Sequence, residues 1–283
     1  MCRPSMRFPP CCCGALVPWV RERTSDAVSW KRVIGALGVS ILLMLLPDAA
    51  YPHAPAASAL TCADAWCATD GLDTALSAAL APRGGGVDLK AVALASHVLN
   101  FGVSPMLAVS SALAPPPPHQ LVPRRRQALQ DAAIVLVCVL GAIGANSVAK
   151  VGARRQRPCF HYGRQGETEA AGRPAEQWVS FYSGDATIAA ASCGAGLALA
   201  LVRRRSHARA LAWAAGAAAL AGSLLRVVAL MHWFTDVLVG CLAGFALGFG
   251  PPLLLFWKQS GRGGGGVGGA GADAAALSKA LLS

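Results

Sequence analysis

Charge is scarce in this sequence. Asp, Glu, Lys and Arg make up 14% of its 283 residues, where soluble domains carry about 25%. Aromatic residues are few, at 6%, and do not alternate with the basic ones, so the net charge of +11 does not describe a nucleic-acid face. The ten cysteines are scattered and form no Cys-x-x-Cys pair, which excludes a disulfide scaffold and a zinc ribbon. No His-rich stretch has metal-ligand spacing. The glycine run at 263–271 lacks a following Gly-Lys-Ser/Thr and so is no phosphate loop.

What is present is apolar. Hydrophobic residues reach 54%, glycines number 31, and the mean hydropathy is +0.48. Such a chain is neither disordered nor an ordinary soluble domain. The apolar stretches predict an all-α, polytopic membrane bundle of five or six transmembrane helices. A short one, 33–47, follows a basic N-terminus and suits either a signal-peptide core or a first span. Longer ones fall at about 91–114, 132–148, 186–202, 210–225 and 237–257, with a polar stretch at 151–180 between the third and fourth spans. The expected organisation is therefore 1–57 as basic N-terminus with signal peptide or first span, and 58–88 as external loop. The membrane domain follows at 89–257, with a flexible Gly-rich tail at 258–283.

Basic residues orient this arrangement. With the N-terminus inside, 16 lysines and arginines fall on the inner side and 8 on the outer, as the positive-inside rule expects. The protein is thus expected in a cell membrane as a multi-pass protein with its charged site facing outside or the periplasm. No motif calls for a metal or an organic cofactor, and nothing in the chain indicates an oligomeric state.

Several residues have plain structural readings. Cys62 and Cys67 can pair in an oxidising compartment, whereas Cys11, Cys12 and Cys13 carry no evident role. Gly240, Gly244 and Gly248 line one helix face with small residues for close packing. His97 reads as a hydrogen-bonded packing residue, Asp131 as the inner boundary of the third span, and Arg154, Arg155 and His161 as solvated loop groups. Trp233 and Trp257 read as interfacial anchors.

Three polar clusters remain, all at the outer ends of helices, where charge is costly unless paired or functional. They are Lys150 with Arg157-Pro158, the string 180–185 around Ser183, Gly184 and Asp185, and Arg226 with His232 and Asp236. Lys150, Arg157 and Arg226 supply fixed cations suited to phosphate oxygens. The backbone N–H groups at Ser183 and Gly184 sit at a helix start, where an anion is favoured. His232 and Asp236 are four apart, so a carboxylate can hold one ring nitrogen while the other acts as nucleophile or base. Together they describe a phosphoryl-transfer site built on cationic side chains.

These residues resemble the type 2 phosphatidic acid phosphatase (PAP2) superfamily, whose signature is Lys-x6-Arg-Pro, Pro-Ser-Gly-His and Ser-Arg-x5-His-x3-Asp. Lys150-x6-Arg157-Pro158 matches the first. Arg226-x5-His232-x3-Asp236 matches the third, with Leu225 where serine is usual. Tyr182-Ser183-Gly184-Asp185 stands at the second. The resemblance, over about residues 90–257, implies that His232 forms a phosphohistidine with Asp236 orienting its ring. Lys150, Arg157, Ser183, Gly184 and Arg226 would bind the phosphoryl oxygens. Asp185 would occupy the place of the histidine that protonates the leaving group.

The implied function is metal-independent hydrolysis of a membrane lipid phosphate or diphosphate, of polyprenyl diphosphate or phosphatidic-acid type. A lipid phosphotransferase with the same site, or a weakened phosphate-binding membrane protein, are the alternatives. Neighbouring cations keep an aspartate ionised and make it a poor general acid, so Asp185 is expected to favour diphosphates, whose leaving group needs little protonation. No inverted repeat suggests a transporter, and the spans disfavour the soluble haloperoxidase relatives.

Overall fold

The structure, a computed structural model, describes residues 28–50, 71–80, 86–114, 124–203 and 205–257. Cys11, Cys12, Cys13, the Cys62–Cys67 pair and the glycine-rich tail lie outside the described residues.

The described residues are helical. We label α1 Trp30–Ala50, α2 Leu72–Leu80, α3 Leu89–Leu113, α4 Arg124–Ala153, α5 Pro158–His161, α6 Gly184–Val202, α7 Ser206–Val228 and α8 Phe234–Phe256. Five of these, α3, α4 (from Arg125), α6, α7 (from Ala208) and α8, are long and apolar enough to cross a membrane. This marks a multi-pass membrane protein. The helices run a few residues beyond the apolar stretches at most ends. Lys150, expected just past a span, lies in the last turn of α4, where a cation complements the helix dipole.

α6 is the central helix. Its sequence is mostly Ala, Gly, Ser and Leu, and nearly every residue after Asp185 is buried. Small residues let neighbouring backbones approach where no hydrophobic force separates helix from lipid. α8 supplies the matching surface. A Cβ at Gly240 would stand 2.8 Å from the Ser183 carbonyl oxygen, and Cβ atoms at Gly244 and Gly248 would collide with the backbones of Thr187 and Ala191. The glycine stripe is thus a packing seam between α8 and α6. Near its end, Pro252 removes the N–H that would bond the Gly248 carbonyl, and the Cys138 thiol donates to that oxygen instead, at 3.4 Å.

α1 is longer than the apolar stretch at 33–47 and packs along α4. Ser40 donates to the Val137 carbonyl at 3.0 Å, and a Cβ at Gly144 would meet the Leu43 backbone at 2.8 Å. α3 is interrupted by a π turn at Val98–Val103, a form that is rare and frequent at functional sites. On its far side, Ser96 donates to the Gly222 carbonyl at 2.8 Å, which pins α3 to α7.

The helices alternate in direction, so the C-terminal ends of α4 and α7 meet the N-terminal ends of α3, α6 and α8. The polar segment 154–183 covers this end. At the opposite end a buried ion cluster ties three elements together. Asp131 accepts from Arg203 at 2.7 Å and Arg205 at 3.1 Å, with Gln130 accepting from Arg203 at 3.1 Å. Asp131 is therefore a buried partner of two arginines and more than a boundary marker.

Candidate active site

The Arg-x5-His spacing follows from how α7 ends. Leu230 adopts a left-handed backbone, φ 57°, a conformation that disfavours L-residues by about 1–2 kcal/mol. The Leu230 N–H bonds the Val227 carbonyl at 3.0 Å, and the Met231 N–H bonds the Arg226 carbonyl at 3.1 Å. This is the paired pattern that closes many helices, usually with glycine at the left-handed position. The chain thereby doubles back and sets His232 beside the last turn of α7, which carries Arg226. The Leu230 carbonyl accepts from Cys159 N–H at 2.9 Å, and so fixes the segment after Arg157 to the same corner.

His232 precedes α8 and Asp236 lies within its first turn, so the two do not share a helix face as their spacing suggests. The carboxylate of Asp236 instead caps the helix by accepting from the Trp233 N–H at 3.0 Å. Trp233 cannot return such a bond, because an indole N–H only donates; it donates to the Gln156 carbonyl at 2.7 Å. Asp236 also accepts from the Ser180 hydroxyl and from Arg155, each at 2.5 Å. Its nearest oxygen is 3.9 Å from His232 Nδ1.

The ring of His232 is held by the Ser180 carbonyl, 2.8 Å from Nδ1. A carbonyl can only accept, so Nδ1 carries the hydrogen and the neutral ring keeps its lone pair on Nε2. Asp236 orients the histidine at one remove, through Ser180. Burial, then the charges of Arg157, Arg226 and Lys150, hold the imidazole well below its ordinary pKa, against the opposing bond to Ser180. An unprotonated nitrogen beside cations suits nucleophilic attack.

The phosphate-binding candidates converge here. Ser183 caps α6, its hydroxyl accepting from Ala186 N–H at 3.5 Å, while its own N–H bonds the Asp236 carbonyl at 3.1 Å. Gly184 follows, and a Cβ on it would stand 3.0 Å from Asn146 Oδ1 and 3.7 Å from Lys150 Nζ. The end of α4 and the start of α6 are thus in contact, with Asn146 donating to the Tyr182 carbonyl at 2.7 Å. Arg157 is buried; its Nη2 lies 3.1 Å from Glu176 and its Nε donates to the Glu176 carbonyl at 2.9 Å. Arg226 is also buried, 2.5 Å from Glu169 and 3.0 Å from Asp185. The last contact is an ion pair without hydrogen-bond alignment.

Two carboxylates from the polar segment therefore sit on the guanidinium groups. Burial alone would raise the Glu169 carboxyl, but its bond to Arg226, the arginine's charge and His97 hold it below the usual value. An anion that bound these cations would have to displace Glu169 and Glu176.

Some sequence readings change. Arg155 is no solvated loop charge: it is 2% exposed and bridges Asp236 to Asp73 on α2, each at 2.5 Å. Asp73 also accepts from the Thr235 N–H at 2.9 Å and hydroxyl at 2.6 Å. Trp233 is fully buried, beneath the exposed His161 ring at 5.6 Å, and is no interfacial anchor. His97, assigned to packing, lies beside Asp185 and Arg226. Asp73, Glu169, Glu176 and Asn146 were not singled out from the sequence. The available signals were the doubled arginine before Arg157 and a titratable group within a span, which reads as functional by default.

No curated protein and no solved structure matches this chain. The family model of the PAP2 superfamily matches residues 131–260, an interval that holds α4 from Asp131 onward, α6, α7, α8 and all three polar clusters. Residues 131–260 are thus similar to the PAP2 superfamily, a match that supports a phosphatase-type enzyme.

Proposed function

We propose that this protein hydrolyses the phosphate or diphosphate of a membrane lipid through a phosphohistidine on His232, without a metal, at the outer face of a cell membrane. The observation that carries the reading is the hydrogen bond from His232 Nδ1 to the Ser180 carbonyl. It leaves Nε2 as the unprotonated nitrogen of a buried ring within the field of Lys150, Arg157 and Arg226.

In the first half of the reaction, Nε2 attacks phosphorus, a P–N bond forms, and the P–O bond to the leaving group breaks. Arg157, Arg226, Lys150 and the N–H groups at the start of α6 hold the non-bridging oxygens, where charge builds up in the transition state. In the second half, water attacks the phosphohistidine and phosphate leaves. Asp236, with Arg155 and Ser180, keeps the ring in the required tautomer. The site lies at one end of a bundle of membrane-length helices, which suits a lipid headgroup at the bilayer surface. With the N-terminus inside, the sequence puts 16 lysines and arginines on the inner side and 8 on the outer, a bias that favours an external site.

The test is phosphate release by the detergent-purified protein in EDTA, from polyprenyl diphosphate and phosphatidic acid, with His232→Ala as control. Release that survives EDTA and is lost in the variant is expected. Phosphate appearing on a second lipid in place of free phosphate would assign a phosphotransferase. Binding of inorganic phosphate without turnover of either lipid would assign a binding protein.

A further inference from the structure

The leaving oxygen needs a proton, and the groups already assigned do not supply it. His232 is the nucleophile, the Asp185 carboxylate is 3.0 Å from a guanidinium nitrogen, and Lys150, Arg157, Arg226 and Ser183 are assigned to the phosphoryl oxygens. One further imidazole reaches the site, from a helix outside the three motifs. His97 ends the first segment of α3, directly before the π turn. Its Nε2 is 2.9 Å from Glu169 Oε2 and its Nδ1 is 3.3 Å from Asp185 Oδ2. Arg226 Nη1 is 3.3 Å from the same Nε2.

The position of Glu169 says what this pocket takes. One carboxylate oxygen binds Arg226 Nη2 at 2.5 Å and the other binds His97 Nε2 at 2.9 Å. A phosphate ester presents the same pair of acceptors, a non-bridging oxygen for the guanidinium and the ester oxygen for the imidazole. Asp185 Oδ2 lies 3.3 Å from the opposite nitrogen and 3.0 Å from Arg226 Nε, as ion-pair contacts without hydrogen-bond alignment, which leaves Nε2 to act. Ser96 donates to the Gly222 carbonyl, Asn100 donates to Ser96 at 3.3 Å, and a Cβ at Gly222 would meet Asn100 Oδ1 at 2.5 Å. Gly222 is one turn before Arg226, so the clamp fixes the two functional side chains together. His97 stacks on Phe101, with ring centroids 5.5 Å apart. Its side chain is 37% exposed, against 2% for His232, as befits a group that meets the outward half of the substrate.

We infer that His97 is the general acid and base of this site, with Asp185 as its positioning residue and Glu169 as a carboxylate that stands in for the phosphoryl group until substrate arrives. This rests on the phosphatase reading above. As the P–N bond forms at His232, the electron pair of the breaking P–O bond passes to the leaving oxygen, which takes the proton from His97 Nε2. In the second half the neutral Nε2 accepts a proton from the attacking water. The new P–O bond forms, and the P–N pair returns to His232. With His97 present, monoesters become substrates as well as diphosphates, contrary to what Asp185 suggests in the sequence alone.

Farnesyl monophosphate and farnesyl diphosphate share a tail but differ in leaving group, an alkoxide in one and a phosphate in the other. His97→Gln should lower kcat/KM on the monophosphate by about 10²–10⁴-fold, the usual worth of a positioned acid, and on the diphosphate by less than about tenfold. Asp185→Asn should show the same selectivity with smaller factors, and serves if the first variant does not fold. A wild-type protein that cleaves only the diphosphate overturns the assignment of His97 and leaves the phosphatase intact. So do variants that lose equal factors on both substrates, or lose nothing. Wild-type protein that cleaves neither substrate, or whose activity survives His232→Ala, overturns the phosphatase reading itself.

Discussion

The Nδ1 hydrogen of His232 is fixed by one carbonyl, and the ring's protonation by burial and three cations. Both features bear on pH. Because the folded protein holds this imidazole well below its ordinary value, the proposed nucleophile stays unprotonated in mild acid. The acid limb of kcat/KM, which reports the free enzyme, is expected below the usual histidine value of about 6.5. A pH–rate profile with soluble short-chain substrate checks this; an acid limb at or above that value would show that substrate-free His232 is not desolvated as described. The same residue shows the limit of spacing arguments. Four residues separate His232 from Asp236, yet a helix start falls between them, and Ser180, a residue with no marked place in the motifs, makes the direct contact.

At the scale of elements, the pairing of α6 with α8 positions the site. A Cβ at Gly240 would strike the Ser183 carbonyl where the proposed phosphate-binding turn begins, and Gly244 and Gly248 continue the close approach down the helices. Any side chain there must push the helices apart. Gly244→Leu is expected to lower stability by at least the roughly 1–3 kcal/mol typical of overpacking. It should also reduce activity at temperatures where the protein remains folded, because Ser183 and His232 are carried by the two displaced elements. Thermal unfolding in detergent, paired with phosphate release, measures both; unchanged melting and activity would remove the seam from the account. The seam was legible in the sequence because a four-residue repeat of glycine has one geometric consequence on a helix. The π turn of α3 was not, since nothing in Val98–Val103 distinguishes a wide turn from a regular one. The packing of Ser96 and Asn100 against Gly222 accompanies it in the fold.

For the whole molecule, the two ends of the bundle are held by different polar networks. At the site end Asp73, Arg155, Asp236 and Ser180 form a chain from α2 to His232. At the other end Asp131 pairs with Arg203 and Arg205, and Arg203 lies over the Phe256 ring at 4.6 Å. Removing one partner of a buried ion pair leaves its charge uncompensated, which costs about 3–5 kcal/mol. Asp131→Ala should therefore lower the melting temperature sharply, while KM at a permissive temperature stays unchanged because the site is at the opposite end. A variant whose KM rises without loss of stability would contradict that separation.

The sequence by itself determined the class of the protein. Low charge, long apolar runs and three polar clusters in order require a membrane helical bundle with its cations at one end, because unpaired charge is too costly within apolar surroundings. The matched cations Lys150, Arg157 and Arg226 and the nucleophile candidate His232 were legible for the same reason, as fixed spacings at helix ends. The tertiary structure alone decided which partners those groups meet. Glu169 and Glu176 come from a segment with no period, Asp73 from a helix before the membrane domain, and His97 from a span outside the motifs. Each reaches the site only through helix packing, and sequence distance carries no information about contacts made across a bundle.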